Sequence, residues 1–398
     1  MLIRKIIGVN IMKVLFWQLN IISEVGIERA FRTMNIDLVI HKQKLIDFDH
    51  DKNCLQTVSN YLSSSNFDCV FTVDFVPIIS RVCEIYKVPY ISWIVDCPCF
   101  QLYSKTISNS VNRIFIFDYA QYQKFLPKNP DNIFYQPLGT DVDTFDQCIP
   151  TKKEKNAYSC DISFVGSLYT EKCNYSDEKM PPKLKGYFDG LMDAQLLIQG
   201  YNFLENALTP DICDEFRKYS NWRPLTEDYE EDVTGIIADS FLGTTASERD
   251  RIRTLNAIAE EHTVHLYTKS DTSTVPKVLN KGSADSNFMM PYIFKCSKIN
   301  LNITSKTIKT GLPLRIFDVL ACQGFLITNF QSEIPEYFSD GVDLVIYDSI
   351  PDLLNKIDYY LKHEEKRIQI AKNGYEKVKN NYTYIHCLNQ IIKTAWNL

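Results

Sequence analysis

Residues 67–96 read FDCVFTVDFVPIISRVCEIYKVPYISWIVD. Phe67 to Val73 is an apolar, β-branched run that suits a buried strand, and it closes on Asp74. The stretch from Pro77 to Tyr86 reads as a helix with proline in its first turn, where the missing N–H has no intrahelical partner to lose. Val88 to Val95 is a second apolar strand, closing on Asp96. Strand, helix and strand in so short a span is the repeat of a parallel sheet covered by helices on both faces.

The same alternation extends in both directions. On the N-terminal side, Val14 to Trp17 and Asp37 to Ile40 read as strands, with a helix from Ser23 to Met34 between them. On the C-terminal side, Arg113 to Phe117 is a strand ending at Asp118, and Asn132 to Tyr135 is another. Pro137 to Pro150 is turn-rich and leads into the charged connector Pro150-Thr-Lys-Lys-Glu-Lys. The pattern restarts at Asp161 to Val165, followed by Gly166-Ser167. Lys183 to Asp250 is helix-like without clear strands. Glu248 to Glu261 is an amphipathic helix, and strands follow at Val264–Tyr267, Ile299–Ile303, Gly324–Ile327 and Leu344–Tyr347. Helices are read at Phe288–Ser297 and Leu314–Cys322, and three more run from Ile350 to Leu398.

This order predicts an α/β protein of two Rossmann-like, doubly wound domains. The first spans 1–150 and the second 151–383, with a helical insertion at about 175–245 and a terminal helix over 384–398. Ligands in such sheets bind at the carboxyl ends of the strands. Two domains facing each other place the site in the cleft between them.

Composition narrows the function. The chain has 398 residues, enough for two or three domains, with 45% hydrophobic and 23% charged residues. The net charge of −6 and the lack of a Lys/Arg block disfavour duplex nucleic acid as a partner. No run of 18 apolar residues suggests a transmembrane helix. Met1 to Ile11 lacks the apolar region and cleavage site of a signal peptide, so a cytoplasmic protein is expected, with Met12 as an alternative start. The 12 cysteines are scattered, mostly in apolar runs, and read as buried free thiols. Cys97-Pro98-Cys99 is too tight for a zinc ribbon, and no His-x3-His pair exists, so no metal site is expected. Gly-x-Ser-x-Gly is absent, which disfavours a serine hydrolase.

Glycine placement narrows it further. No glycine lies between Gly26 and Gly139. The first domain therefore has neither the dinucleotide fingerprint nor a P-loop. In the second domain Gly166-Ser167 follows a strand, and Gly311-Leu-Pro-Leu-Arg315 opens a helix. A helix N-terminus favours an anion such as a diphosphate. Arg315 lies in the first turn, where a cation is unfavourable for the helix itself, and anion binding would explain it. Asp318, one turn on, could accept hydrogen bonds from ribose hydroxyls. Asp74, Asp96 and Asp118 end strands, as a general base or as helix N-caps. Asp96 stands out because it follows Ser92-Trp93 and precedes Cys97-Pro98.

Several stretches together resemble the CgeB-like glycosyltransferases. They are Ser297 to Thr304, Leu312 to Thr328, Ile370 to Gly374 and Tyr382-Thr-Tyr384. The N-terminal half, through Tyr90 to Pro98, Ile114 to Asp118 and Tyr135 to Gly139, resembles the domain that often precedes them. The likeness covers most of the chain apart from the region around 175–245. It implies a GT-B fold, in which the C-terminal domain holds a nucleotide-sugar, no catalytic metal is used, and the final helix crosses back to the N-terminal domain. It implies a metal-independent transferase of the hexosyltransferase class, with a UDP-sugar favoured as donor and an unidentified acceptor. The nucleotide-sugar is substrate, so no cofactor is expected. Asp96 and Arg315 would be catalytic. Gly166, Ser167, Asn302, Thr304, Gly311, Leu314, Arg315 and Asp318 would hold the donor. Asp318 matches the second acidic position of the Glu-x7-Glu signature of related enzymes, one methylene shorter, and the first falls on Thr310. A GT-B nucleotide-sugar epimerase and a non-catalytic nucleotide-sugar binder are the alternatives.

Overall fold

The computed structural model describes residues 12–173, 175, 178–220, 226–230, 232–286 and 288–398. The opening eleven residues, ahead of the alternative start at Met12, lie outside them. The chain divides into two compact units. Described residues up to Asp141, the short segment 226–230 and Tyr382–Leu398 form the first; the second takes the rest.

The first unit is built on six parallel strands: β1 (Lys13–Gln18), β2 (Asp37–Lys42), β3 (Cys69–Val73), β4 (Tyr90–Trp93), β5 (Asn112–Ile116) and β6 (Ile133–Tyr135). Their order is β2-β1-β3-β4-β5-β6, so the sheet reverses direction of growth between β1 and β3. Leu15, Phe16 and Trp17 of β1 are fully buried, as expected of a strand covered on both faces. Phe16, Phe31 and Phe71 pack edge to face at 5.1–6.0 Å and tie the helix Glu24–Thr33 to the sheet. The helix Lys52–Ser64, capped by Asp51, was not expected from the sequence.

Two of the glycines have a packing reason. A Cβ on Gly26 would meet the Tyr384 ring at 2.5 Å, and one on Gly139 would meet Cys387 Sγ at 2.7 Å and Tyr382 O at 2.8 Å. Both admit the terminal helix Tyr384–Ala395, which lies on the helix Glu24–Thr33. Thr140 and Tyr382–Thr383 are hydrogen-bonded backbone to backbone.

The second unit has six more parallel strands: β7 (Cys160–Val165), β8 (Val264–Tyr267), β9 (Leu279–Asn280), β10 (Ser297–Asn302), β11 (Leu326–Asn329) and β12 (Val345–Tyr347). Their order is β12-β11-β10-β7-β8-β9. Counted within the unit this is the doubly wound 3-2-1-4-5-6 order, with the reversal between β7 and β10. Leu255, Ile258, Ile299, Ile327 and Leu353 belong to one buried cluster against this sheet.

The structure departs from the sequence expectation at the connector and at the boundary between the units. The charged connector is the helix Lys152–Tyr158, because Thr151 and Glu154 form a capping box that nucleates it. The division between units falls after Asp141, since the helix Val142–Gln147 packs on the helix Leu314–Ala321 of the second unit. The insertion carries a core of its own, with Phe188, Met192, Phe216 and Leu242 buried together. Its helices include Pro182–Leu196 and Pro210–Tyr219, and it runs through the π-helical stretch Ile237–Gly243 into the helix Thr244–Ala259.

All twelve cysteines are free thiols. Burial pushes those of Cys54 and Cys387 up to about 12, which makes them inert. No helix among the described residues is long and apolar enough to cross a membrane.

Candidate functional site

At the carboxyl edge of the second sheet, β7 ends in Gly166-Ser167. Gly166 N–H bonds to Tyr267 O at 3.0 Å. A Cβ at Gly166 would touch nothing closer than 3.5 Å, so protein packing alone does not demand glycine there. Ser167 Oγ donates to Glu171 at 2.7 Å and accepts from Tyr169 N–H at 2.7 Å, closing a tight turn. Across the reversal, β10 ends in Asn302, whose amide donates to Thr304 Oγ1 (3.0 Å) and Thr328 Oγ1 (2.9 Å). Thr304 N–H in turn bonds Asn329 Oδ1 at 2.8 Å. Asn302 and Thr304 are buried, so they set the shape of the β10 loop.

The side chain that joins the two strand ends is Arg251, from the helix Thr244–Ala259. Its guanidinium donates to Ser167 O at 2.5 Å and to Ile303 O at 2.8 Å. It lies over the rings of Tyr169 (4.4 Å) and Phe164 (5.5 Å). Its Nε is buried without a hydrogen-bond partner, and no carboxylate pairs with it among the described residues. Burial lowers its pKa from the usual value. It remains charged all the same. Arg251 thus stands as a positive charge held by carbonyls at the reversal point of the sheet, where ligands of such folds are met.

The sequence reading passed over Arg251 as part of an amphipathic helix. The signal was present. Arg251 falls four and seven residues before the buried Leu255 and Ile258, on the inward side of the helix. The buried Ser247, Asp250 and Thr254 mark that side as polar as well.

Beyond β10 the loop carries two lysines. Lys306 is buried and pairs with Asp250 at 3.1 Å, where the two side chains are 6% and 3% exposed. It also donates to Gln199 at 2.9 Å. Burial lowers its pKa, and the Asp250 charge opposes that shift. Lys309 pairs with Glu205 and with Asp239 of the π-helical stretch. The insertion reaches over this loop, Asn202 donating to Lys306 O at 2.6 Å and Gly200 (φ +71°) seated against Phe330. Together they border a small, partly open recess of about 10 Å³, lined by Gln199, Lys306, Lys309, Asn329 and Gln331.

Gly311 is buried, and its carbonyl accepts from Gln331 at 3.3 Å. Leu314 opens the helix Leu314–Ala321 behind Pro313. Arg315 lies 3.4 Å from Asp318 and 2.9 Å from the Met290 sulfur, over the Phe294 ring at 5.2 Å. Burial lowers its pKa. The structure thus gives Arg315 a carboxylate partner on its own helix, which offsets a cation at that terminus.

The carboxyl edge of the first sheet is acidic. Glu24 follows β1 and is 3% exposed. It accepts the N–H groups of Leu19 (2.6 Å) and Ile21 (3.0 Å), so both its oxygens hold the loop. Asp74 follows β3 in a left-handed conformation, φ 59°, and is 7% exposed. Its Oδ1 accepts the N–H groups of Val95 (2.8 Å) and Asp96 (3.1 Å). Desolvation, followed by the neighbouring Asp96, pushes the Asp74 carboxyl up to about 8. Asp96 is exposed. Asp118 caps the helix Tyr119–Phe125 through Gln121 N–H at 2.7 Å, the bland role open to it from the start.

Elsewhere, Glu261, His262 and Asp358 present ligand atoms within 4.8 Å of one another. His262 and Asp358 already pair at 3.1 Å.

A family described as glycosyl transferase-like matches residues 249–393, a stretch that begins within the Arg251 helix and runs into the terminal helix Tyr384–Ala395. No curated protein matches the chain in sequence. Among solved structures, a glycosyltransferase from Rickettsia africae ESF-5 superposes with a TM-score of 0.58 at 11% identity, covering 98% of both chains. Anabaena HepE, in complex with UDP and glucose, gives 0.52 at 11% identity over 97% of this chain and 100% of that one. Sucrose-phosphate synthase from Thermosynechococcus elongatus gives 0.52 at 10% identity over 97% and 99%. The fold is that of the GT-B glycosyltransferases.

Proposed function

We propose that the protein is a CgeB-like glycosyltransferase that moves a hexosyl group from a nucleotide-sugar, a UDP-sugar by preference, to an acceptor held on the first unit. The observation that carries the reading is Arg251, an anion-seeking cation at the sheet reversal, inside the stretch that matches the glycosyl transferase-like family. HepE, similar in fold, is a protein whose structure holds UDP and glucose.

In this reading the donor diphosphate lies on Gly166, Ser167, Gly311 and the N-terminus of the helix Leu314–Ala321, with Asp318 on the ribose. Arg251 joins the set. Asn302 and Thr304 shape the loop that carries it. Breaking the anomeric C–O bond leaves one further negative charge on the diphosphate. Arg251, Arg315 and the helix N–H groups offset that charge, preorganised in a site of low dielectric. No metal ion is called on for this task. Asp96, exposed at the acidic edge of the first sheet, is the catalytic carboxylate of this reading.

The test is a thermal-shift screen of UDP-, GDP- and dTDP-sugars, since a ligand that binds the native state raises its melting temperature. One nucleotide-sugar class should shift the protein, and Arg251→Met should reduce the shift at the same ligand concentration. Turnover should release a nucleoside diphosphate and persist in EDTA. Activity lost to EDTA and restored by Mg²⁺ refutes the metal-independent mechanism. Binding without release of nucleotide would leave only the non-catalytic binder.

A further inference from the structure

The loop that follows β7 already holds a carboxylate. Glu171 comes shortly after Gly166, and its side chain turns back onto the Gly166-Ser167 turn. Ser167 Oγ donates to its Oε1 at 2.7 Å, and Thr170 Oγ1 donates to its Oε2 at 3.2 Å. Ser270, in the loop after β8, belongs to the same set. Its hydroxyl stands 3.4 Å from Ser167 Oγ and helps to hold the Glu171 charge. It also accepts Leu168 N–H at 2.8 Å, which ties the loops after β7 and β8 together. Desolvation pushes the Glu171 carboxyl up, but the hydroxyls of Ser167, Ser270 and Thr170 outweigh it and bring the group down to about 2. The carboxylate is therefore ionised at any working pH.

This anion has no cation of its own. No lysine or arginine among the described residues pairs with it, and the neighbouring Lys172 lies over the Tyr169 ring instead, at 4.8 Å. Arg251 also lies over Tyr169, at 4.4 Å, and feels the Glu171 charge without pairing to it. An independent sign of a missing ligand is on Arg251 itself, whose Nε is buried and hydrogen-bonds to nothing. Beside it is open space at Gly166, where an added Cβ would meet Arg251 Nη1 only at 3.9 Å. Glu171 is exposed, so its side chain can swing out without unpacking the core.

We propose that Glu171 is an intramolecular stand-in for a phosphate, docked on the hydroxyls of Ser167, Thr170 and Ser270 and displaced when a diphosphate binds beside Arg251. The proposal takes the identity of the ligand from the glycosyltransferase reading and adds to it a gate on the donor site. Carboxylate and phosphate oxygens accept from the same hydroxyls, and two anions at this spacing repel. Binding is then an exchange of one anion for another. The affinity for any diphosphate falls by the fraction of molecules in which Glu171 is undocked. A diphosphate, with charge to spare for Arg251, wins the exchange, whereas a singly charged anion does not. The gate thus favours the intact donor and its diphosphate product over the small anions of the medium.

The test is calorimetric titration of inorganic pyrophosphate, and separately of UDP, into wild type, Glu171→Gln and Glu171→Ala. Glu171→Gln keeps the shape and removes the charge. It should bind pyrophosphate at least ~10-fold more tightly than wild type, the gain expected if no more than about a tenth of the wild-type molecules are undocked. Glu171→Ala should show the same gain, which separates loss of charge from any new contact made by the amide. A carboxylate that only braces the loop predicts the opposite sign, since its removal would leave the site less well formed. Equal or weaker pyrophosphate binding in either variant overturns the proposal, as does its absence from all three proteins. Tighter pyrophosphate binding in both variants of a protein that takes up neither UDP nor a nucleotide-sugar upholds the displaced carboxylate and defeats the glycosyltransferase reading alone.

Discussion

The two sheets share one architecture and differ in the side chains at the same edge, carboxylates at the first and an unpaired arginine at the second. Each has six parallel strands, and in each the order reverses beside the strand that opens the unit. At the reversal of the first sheet the loops present Glu24 and Asp74, with Asp96 one strand further on. At the reversal of the second they present Arg251, with Lys306, Lys309 and Arg315 on the β10 loop and the helix after it. The strand framework fixes where a ligand is met, and the loops decide which ligand. An acidic edge suits a hydroxyl that must lose a proton, whereas a basic edge suits a leaving group that gains charge.

The contrast can be broken from the basic side. Lys306→Met leaves Asp250 buried beside Arg253 alone (3.0 Å). The cost should be about 3 kcal/mol, the low end for a broken buried pair because Arg253 remains. Urea unfolding monitored through the second unit checks it. Arg251→Met should weaken nucleotide-sugar binding by about 10–100-fold, as loss of charge-assisted hydrogen bonds worth ~1.5–3 kcal/mol implies. Calorimetric titration reads that loss directly, and Arg251→Lys should recover only part of it. If Arg251→Met binds as tightly as wild type, the basic edge is structural and the contrast loses its meaning.

On the acidic side the effects are smaller. Gly139→Ala drives a methyl into Cys387 and Tyr382 and should destabilise the first unit by about 1–3 kcal/mol, leaving nucleotide-sugar binding to the second intact. Limited proteolysis that frees the C-terminal segment first is the expected readout. The pH effect has a defined sign. The Asp74 carboxyl is raised from 3.8 to about 8, so between those values the native chain holds a proton that the unfolded chain has lost. Stability therefore declines as pH rises through that window and flattens above it. Asp74→Asn removes the slope and should be the more stable protein at pH 8.

Much of this was legible in the sequence. Apolar runs closing on Asp74, Asp96 and Asp118 marked β3, β4 and β5 and told which end of the strand each aspartate occupies. Short strands with one exposed face were harder. β9 is two exposed residues, Leu279 and Asn280, and leaves no apolar signature. The roles of the site residues were less legible than their positions. Asp74 and Asp96 look alike in sequence, each following a strand. What separates them is burial, and burial depends on loops from β1 and β4 meeting across the sheet. Arg315 drew attention because its helix position is unfavourable, yet Asp318 accounts for it locally. Arg251 drew none, because a charged residue in an amphipathic helix is ordinarily solvated. Its spacing from Leu255 and Ile258 placed it on the inward side, and the carbonyls of Ser167 and Ile303 show what it meets there.

The terminal helix seated on Gly26 and Gly139 sets the order in which the molecule is made. The first unit is nearly all translated by Asp141, but it lacks the segment that fills the surface beside those two glycines. That segment emerges roughly 240 residues later, after the second unit. At ordinary rates of synthesis the delay is on the order of tens of seconds. The half of the protein made first is thus the half completed last.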